Sequence, residues 1–158
     1  MINFLINAVT AIKLHRSDLP KAQGYRKAGD PLHYIRFRQS QPVGSKLLVG
    51  DCEIAGTSHD PQRRAMKKFA RGRYRKIELI HDPHNRFDRN AIIVIGVWKG
   101  WIFRHRRQIG FVPAHIAKML SSKRNQNLIL TATLDILFLP RLGKSSGGRI
   151  QIWGASHQ

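Results

Sequence analysis

The sequence predicts a mainly β protein with two short helices, an α+β fold of the small, partly open barrel type seen in OB-like and SH3-like domains. Three observations carry that expectation. Five or more short segments have strand character. Two Pro-initiated helical segments are inserted between them. The 158-residue chain is 42% apolar, enough for one domain with a real core and too apolar for a disordered basic tail.

Taken in order, Met1 to Ile12 is apolar but broken by Asn3, Asn7 and Thr10. Ile2, Leu5, Val9 and Ile12 fall at helical spacing, which predicts a short amphipathic helix docked on the domain behind it. The segment lacks the leading positive charge of a secretory signal and is too short to cross a bilayer, so the chain reads as cytoplasmic with no membrane partner. Residues 1–46 form a basic, Pro- and Gly-punctuated extension, with a short strand at Tyr34–Arg38 inside a linker. The domain proper is expected over 47–154, and 155–158 is a tail.

Leu47 to Ala55 reads as a strand ending at Gly56. Asp60 followed by Pro61 reads as an N-cap with proline in the first helical position. Ala65, Met66 and Phe69 then share one helical face, and Gly72 ends the helix. Arg75 to His81 alternates as a half-buried strand, Asp82-Pro83-His84-Asn85 is turn chemistry, and Ala91 to Val97 is a β-branched, buried strand. Gln108 to Val112 is a further strand. Pro113 opens the second helix, with Ile116, Ala117 and Leu120 inward. Leu128–Leu139 is a long strand, Lys144–Gly148 a loose turn, and Arg149–Trp153 the closing strand.

Charge sets the class of partner. Lys and Arg number 28 against 9 Asp and Glu, a net charge of +19. Such a balance costs a compact state self-repulsion and points to an anionic partner. Arg outnumbers Lys, and its planar fork suits phosphate and base edges, so nucleic acid is the expected partner, single-stranded DNA ahead of RNA. Arg63, Arg64, Lys67 and Lys68 would lie on the helix face opposite Met66 and Phe69, where they serve either as phosphate contacts or as a solvated face. Arg104, His105, Arg106 and Arg107 form a second basic cluster, expected in a hairpin loop after Trp98 and Trp101; the two tryptophans read as core or edge cover. Neutralising about four phosphates would give a slope of log affinity against log salt of about −3.

The densest chemistry lies in His81-Asp82-Pro83-His84-Asn85-Arg86-Phe87-Asp88-Arg89-Asn90-Ala91-Ile92, a loop between two predicted strands. Two readings of it stand open. In one, Phe87 is an exposed stacking face worth roughly 1–3 kcal/mol per base, flanked by phosphate-binding Arg86 and Arg89, with Asn85, Asp88 and Asn90 bonding to sugar or base edges. In the other, Phe87 plugs the core and Asp88 caps its own turn.

A resemblance bears on the choice. Ile54-Ala55-Gly56-Thr57-Ser58-His59, the Asp82–Ile92 stretch, and Ile109-Gly110-Phe111-Val112-Pro113 resemble, in order and spacing, the HIRAN domain. This is a DNA-end-binding module found alone in bacteria and fused to Swi/Snf-type helicases in eukaryotes. Ile150-Gln151-Ile152-Trp153-Gly154 looks like the family's closing strand, and the resemblance covers about residues 47–154. It implies an OB-like barrel that grips the 3′ end of single-stranded DNA in repair or replication-fork processing. Phe87 would be a stacking platform and Asp88 the acceptor for the 3′-hydroxyl. Asn85 would shape the loop, Ser58 and His59 would stand at the end-contacting positions, and Phe111 would lie on the neighbouring strand. Where eukaryotic members carry an arginine and tyrosines, this chain has Ser58, His59 and Asp60. Zinc and ATP hydrolysis belong to the fused helicases, and this chain contains neither part.

Two other functions compete with this one. A metal-dependent nuclease would use His81, Asp82, His84 and Asp88, but histidines three apart in a Pro-containing turn do not meet a metal as helical ligands do. A nonspecific basic adaptor would recruit a helicase or nuclease through residues 1–46. No motif for a cofactor, a phosphate-cradling loop or a nucleophile elbow is present. Cys52, the one cysteine, allows no disulfide or thiolate zinc cage within the chain. The sequence therefore predicts a binding module rather than an enzyme.

Overall fold

The computed structural model describes residues 32–38, 40–122, 125, 127–140 and 146–156. The helix expected at residues 2–12, most of the basic extension and residues 144–145 of the turn lie outside them. The element order is β1 (Leu32–Arg36), β2 (Ser45–Glu53), α1 (Gln62–Arg71), β3 (Arg73–His81), β4 (Ile92–Lys99), β5 (Arg104–Phe111), α2 (Ala114–Leu120), β6 (Leu128–Pro140) and β7 (Gly147–Ser156). The mainly β, two-helix architecture is as the sequence predicts, with revised limits. Residues 32–46, assigned to the extension, supply β1 and the start of β2, and β7 reaches two residues into the expected tail.

All strand pairs are antiparallel. The sheet order is β2-β7-β6-β3-β4-β5, and β1 joins β6 on the edge that β6 also offers to β3. The sheet is not closed into a barrel, but its edge strands meet at one point. Just beyond β2, Ala55 exchanges both backbone bonds with Phe111 at the end of β5, at 2.8 and 2.9 Å. Gly110 makes that approach possible: a Cβ there would lie 2.4 Å from the Ala55 carbonyl oxygen.

β4 is an inner strand, and it is buried without interruption from Val94 to Trp98. Against β4 and β5 lies α1, which buries Met66, Phe69 and Ala70. Phe69 meets Trp98 edge-on at 5.9 Å. A Cβ at Gly96 would stand 2.7 Å from the Phe69 ring, so glycine lets the helix sit down on the strand. α2 buries Ala117 and Leu120, as its spacing predicts.

The helix ends differ from expectation in instructive ways. Pro61, not Asp60, occupies the N-cap of α1, and no side chain caps it. Asp60 instead pairs with Arg63 and Arg64, three and four residues on. Gly72 does end the helix, but its backbone is extended rather than left-handed. Glycine is needed there because the Trp98 ring would lie 2.3 Å from a Cβ. The C-terminus of α1 is satisfied by Arg75, whose Nε and Nη2 donate to the carbonyls of Phe69 and Ala70 at 3.0 and 2.7 Å. Burial lowers the pKa of this guanidinium from its ordinary value.

Candidate nucleic-acid interface

The meander β3-β4-β5 has two ends, and the predicted loop residues, Phe111 and the Ser58–His59 turn gather at one of them. β3 and β4 pair from His81 opposite Ile92 inward, and Asp82 N–H donates to Ala91 at 2.8 Å to close the loop between them. Val112, just past β5, donates to Ile92 at 2.9 Å. The Asp82–Ala91 loop, Phe111 and the Gly56–Asp60 turn therefore share one end of the sheet.

Side chains lock the loop from within. Asn85 Oδ1 accepts from the N–H groups of Phe87 and Asp88 at 3.1 and 3.3 Å, while its amide donates to Asp82 at 3.2 Å. Asp88 Oδ1 accepts from Asn90 N–H at 2.8 Å, an Asx turn, and the Asp88 carbonyl accepts from Ala91 N–H at 3.0 Å. No other hydrogen bond to the Asp88 carboxylate exists among the described residues. A locked loop fixes what stands on it: Phe87 is 86% exposed, with the Arg86 guanidinium 4.9 Å from its ring centroid. The second reading holds at Asp88 and fails at Phe87. Phe87 is no core plug, and Asp88 does cap its own turn.

Beside the loop, Gly56 has φ +75°, and its Cα faces the half-buried Phe111 ring, which would lie 3.4 Å from a Cβ. Phe111 is thus a wall of the end rather than a free platform. Ser58 and His59 are exposed on this turn, and Arg63 N–H donates to the His59 carbonyl at 2.8 Å, tying turn to helix. Arg89 is exposed and Asn90 half-buried.

From here α1 carries Arg63, Arg64, Lys67, Lys68 and Arg71 on its exposed face, a file about 12 Å long at 1.5 Å per residue. Arg63 and Arg64 are not free cations. Asp60 holds both, at 3.1 and 3.3 Å, and the hydrogen bond from Arg63 keeps its carboxyl below the ordinary carboxylate value.

The second basic cluster is not in a loop. Arg104 to Arg107 form the first half of β5, an edge strand, and the turn is Gly100–Phe103. Arg104, Arg106 and Arg107 are exposed, and Arg106 meets Glu78 at 2.8 Å. His105 stacks on the buried Trp98, ring centroids 5.2 Å apart. Trp101 is neither core nor cover: it is 90% exposed, beside Ile102 at 67% and Phe103 at 71%. The sequence holds one signal for this, an apolar triplet bounded by Lys99-Gly100 and Arg104.

The nuclease set does not converge. His81 Nε2 lies 3.0 Å from the Arg89 carbonyl, Asp82 is bonded to Asn85, and Asp88 to Asn90. Among the described residues no group of three or more His, Cys, Asp or Glu side chains is placed to hold a metal. Cys52 is buried, and burial together with Asp51 and Glu53 pushes its thiol up to about 11, away from nucleophilic use. No helix among the described residues is long and apolar enough to cross a membrane. Comparison with protein-family models, curated proteins and solved structures returned no match.

Proposed function

We propose that the chain is a binding module for single-stranded nucleic acid, DNA in preference to RNA, that receives a 3′-hydroxyl end at the loop between β3 and β4. One observation carries the reading: a phenylalanine almost wholly in water, on a loop whose backbone is held by Asn85 and Asp88, with arginines on both sides. Leaving that ring in solvent forgoes roughly 1.5–3 kcal/mol of burial, and a stacked base recovers it. The resemblance of three segments to the HIRAN domain adds the choice of end. Asp88 has one oxygen on Asn90 N–H, which leaves the other to accept from a terminal hydroxyl. The cations of α1 and β5 then hold phosphates, beside a partner enzyme of DNA repair.

The test is fluorescence anisotropy with labelled oligonucleotides ending in 3′-hydroxyl or 3′-phosphate, with RNA and blunt duplex alongside. The 3′-hydroxyl strand is expected to bind about tenfold tighter than the phosphorylated one, a cost typical of an unpaired charge beside a carboxylate. Equal affinities would remove end recognition and leave general binding. Absence of binding would remove both.

A further inference from the structure

At the opposite end of the meander, the β4–β5 turn presents Trp101, Ile102 and Phe103 to solvent as three consecutive large apolar side chains. The turn itself is well held. Gly100 N–H donates to the Phe103 carbonyl at 2.9 Å, Lys99 pairs with Arg104 at the last rung, and β4 behind it is buried in the core. A rigid hairpin that ends in an apolar point is built to touch something.

The surroundings say what. Lys99 and Arg104 flank the point, Arg73 pairs with Lys99 on the neighbouring strand, and the carboxylate of this part of the sheet, Glu78, is taken up by Arg106 and Lys76. The cationic file of α1 leads to the same place, since Gly72 at the helix end packs against Trp98, three residues before Trp101. The partner is therefore anionic. A file of cations running back along a helix suits a linear polyanion, whereas a lipid surface needs its cations spread in one plane around the inserted point.

Resting on the nucleic-acid reading above, we propose that Trp101 and Phe103 form a second base-stacking contact, which receives the strand after it has passed along α1 from the Phe87 loop. Ile102 between the two rings wedges between neighbouring bases. β4 spans eight residues, so the two aromatic contacts lie about 25 Å apart at 3.3 Å per residue. That distance corresponds to about seven nucleotides at a stacked rise of about 3.4 Å. A stacked strand of about four nucleotides, about 14 Å long, reaches only one of them.

Trp101 supplies its own reporter. The chain has three tryptophans, and Trp98 and Trp153 are buried, so changes in tryptophan emission on binding report Trp101. The full-length protein is titrated with oligonucleotides of about four and about twelve nucleotides, followed by both emission and anisotropy. The longer strand is expected to quench emission, and the shorter to bind with little quenching. Trp101→Ala is expected to lose about tenfold in affinity for the longer strand and nothing for the shorter, while Trp101→Phe stays within about threefold of the parent. If the longer strand binds equally well to the Trp101→Ala protein with no quenching in the parent, the second contact falls and the nucleic-acid reading stands. If neither strand binds, both fall. Vesicles of phosphatidylcholine and phosphatidylserine form the last arm: a blue shift there, with no response to oligonucleotide, assigns the point to lipid and overturns the proposal.

Discussion

The two ends of the β3-β4-β5 meander present aromatic side chains to water by opposite means. At one end a ten-residue loop, Asp82–Ala91, turns three polar side chains on itself: Asn85, Asp82 and Asp88 all bond within it, and one ring emerges. At the other a four-residue turn needs one backbone bond and carries three apolar side chains outward. The first end is also where the edges of the sheet meet, so its geometry depends on distant parts of the chain. The turn at the second is closed by a bond within its own hairpin. Specific geometry is expensive to build and belongs to the long loop; apolar area is cheap to display and belongs to the short turn.

Glycine substitutions at the two ends test that difference most strongly. A methyl at Gly110 would meet backbone, the Ala55 carbonyl at 2.4 Å, together with Ile54 Cγ2 at 2.5 Å. Gly110→Ala must push the sheet edges apart, and it is expected to cost about 2–3 kcal/mol in urea denaturation. At the other end a methyl at Gly100 would meet the His105 ring, Nε2 at 2.8 Å. A side chain can turn away, so Gly100→Ala is expected to cost less than about 1 kcal/mol, from the His105–Trp98 stack. Equal losses would mean that the single Ala55–Phe111 bridge does not hold the first end together.

Phe87→Ala is the next largest effect and falls on binding alone. With the ring in water and the loop held by backbone and Asn85 bonds, stability should change by less than about 0.5 kcal/mol. Affinity for single-stranded DNA should fall by more than about tenfold. A loss below about threefold in anisotropy would show that Phe87 is no stacking platform.

How far the sequence could be read follows from how local each signal is. The inner face of α1 and the buried β4 declare themselves through helical spacing and a β-branched run, and both were legible. The Arg104–Arg107 cluster was not: on an edge strand the charged residues that guard the free edge erase the alternation that marks a strand. Residues 32–36 reveal nothing of their pairing with β6, because that pairing joins segments about a hundred residues apart. Asp60 carried a sound capping signal, but two arginines one turn further on compete for the same carboxylate and hold it. In the loop, sequence left Phe87 open between plug and platform; its exposure is a property of the folded chain that no local pattern encodes.

Asp60 also gives the finest test of how the two ends are linked. It is the one carboxylate between Gly56 and Gly72, and it ties up the first two cations of the file that leads from one end to the other. Asp60→Asn removes the charge that holds Arg63 and Arg64 without touching the core. If the strand follows α1, the substituted protein should bind about two- to threefold more tightly at low salt, with the slope of log affinity against log salt steeper by about 0.7 for each phosphate gained. Because Arg63 holds the Asp60 carboxyl below its ordinary value, the pairing adds stability above the unfolded-state value and is lost only as pH falls through the lowered folded one. The gain should therefore be the same at pH 6 and pH 8, both well above about 3.9, the ordinary carboxylate value, and it should shrink as salt screens the exposed charges. Unchanged affinity and slope would take Arg63 and Arg64 off the path of the strand, and the two ends would then act as separate contacts with no track between them.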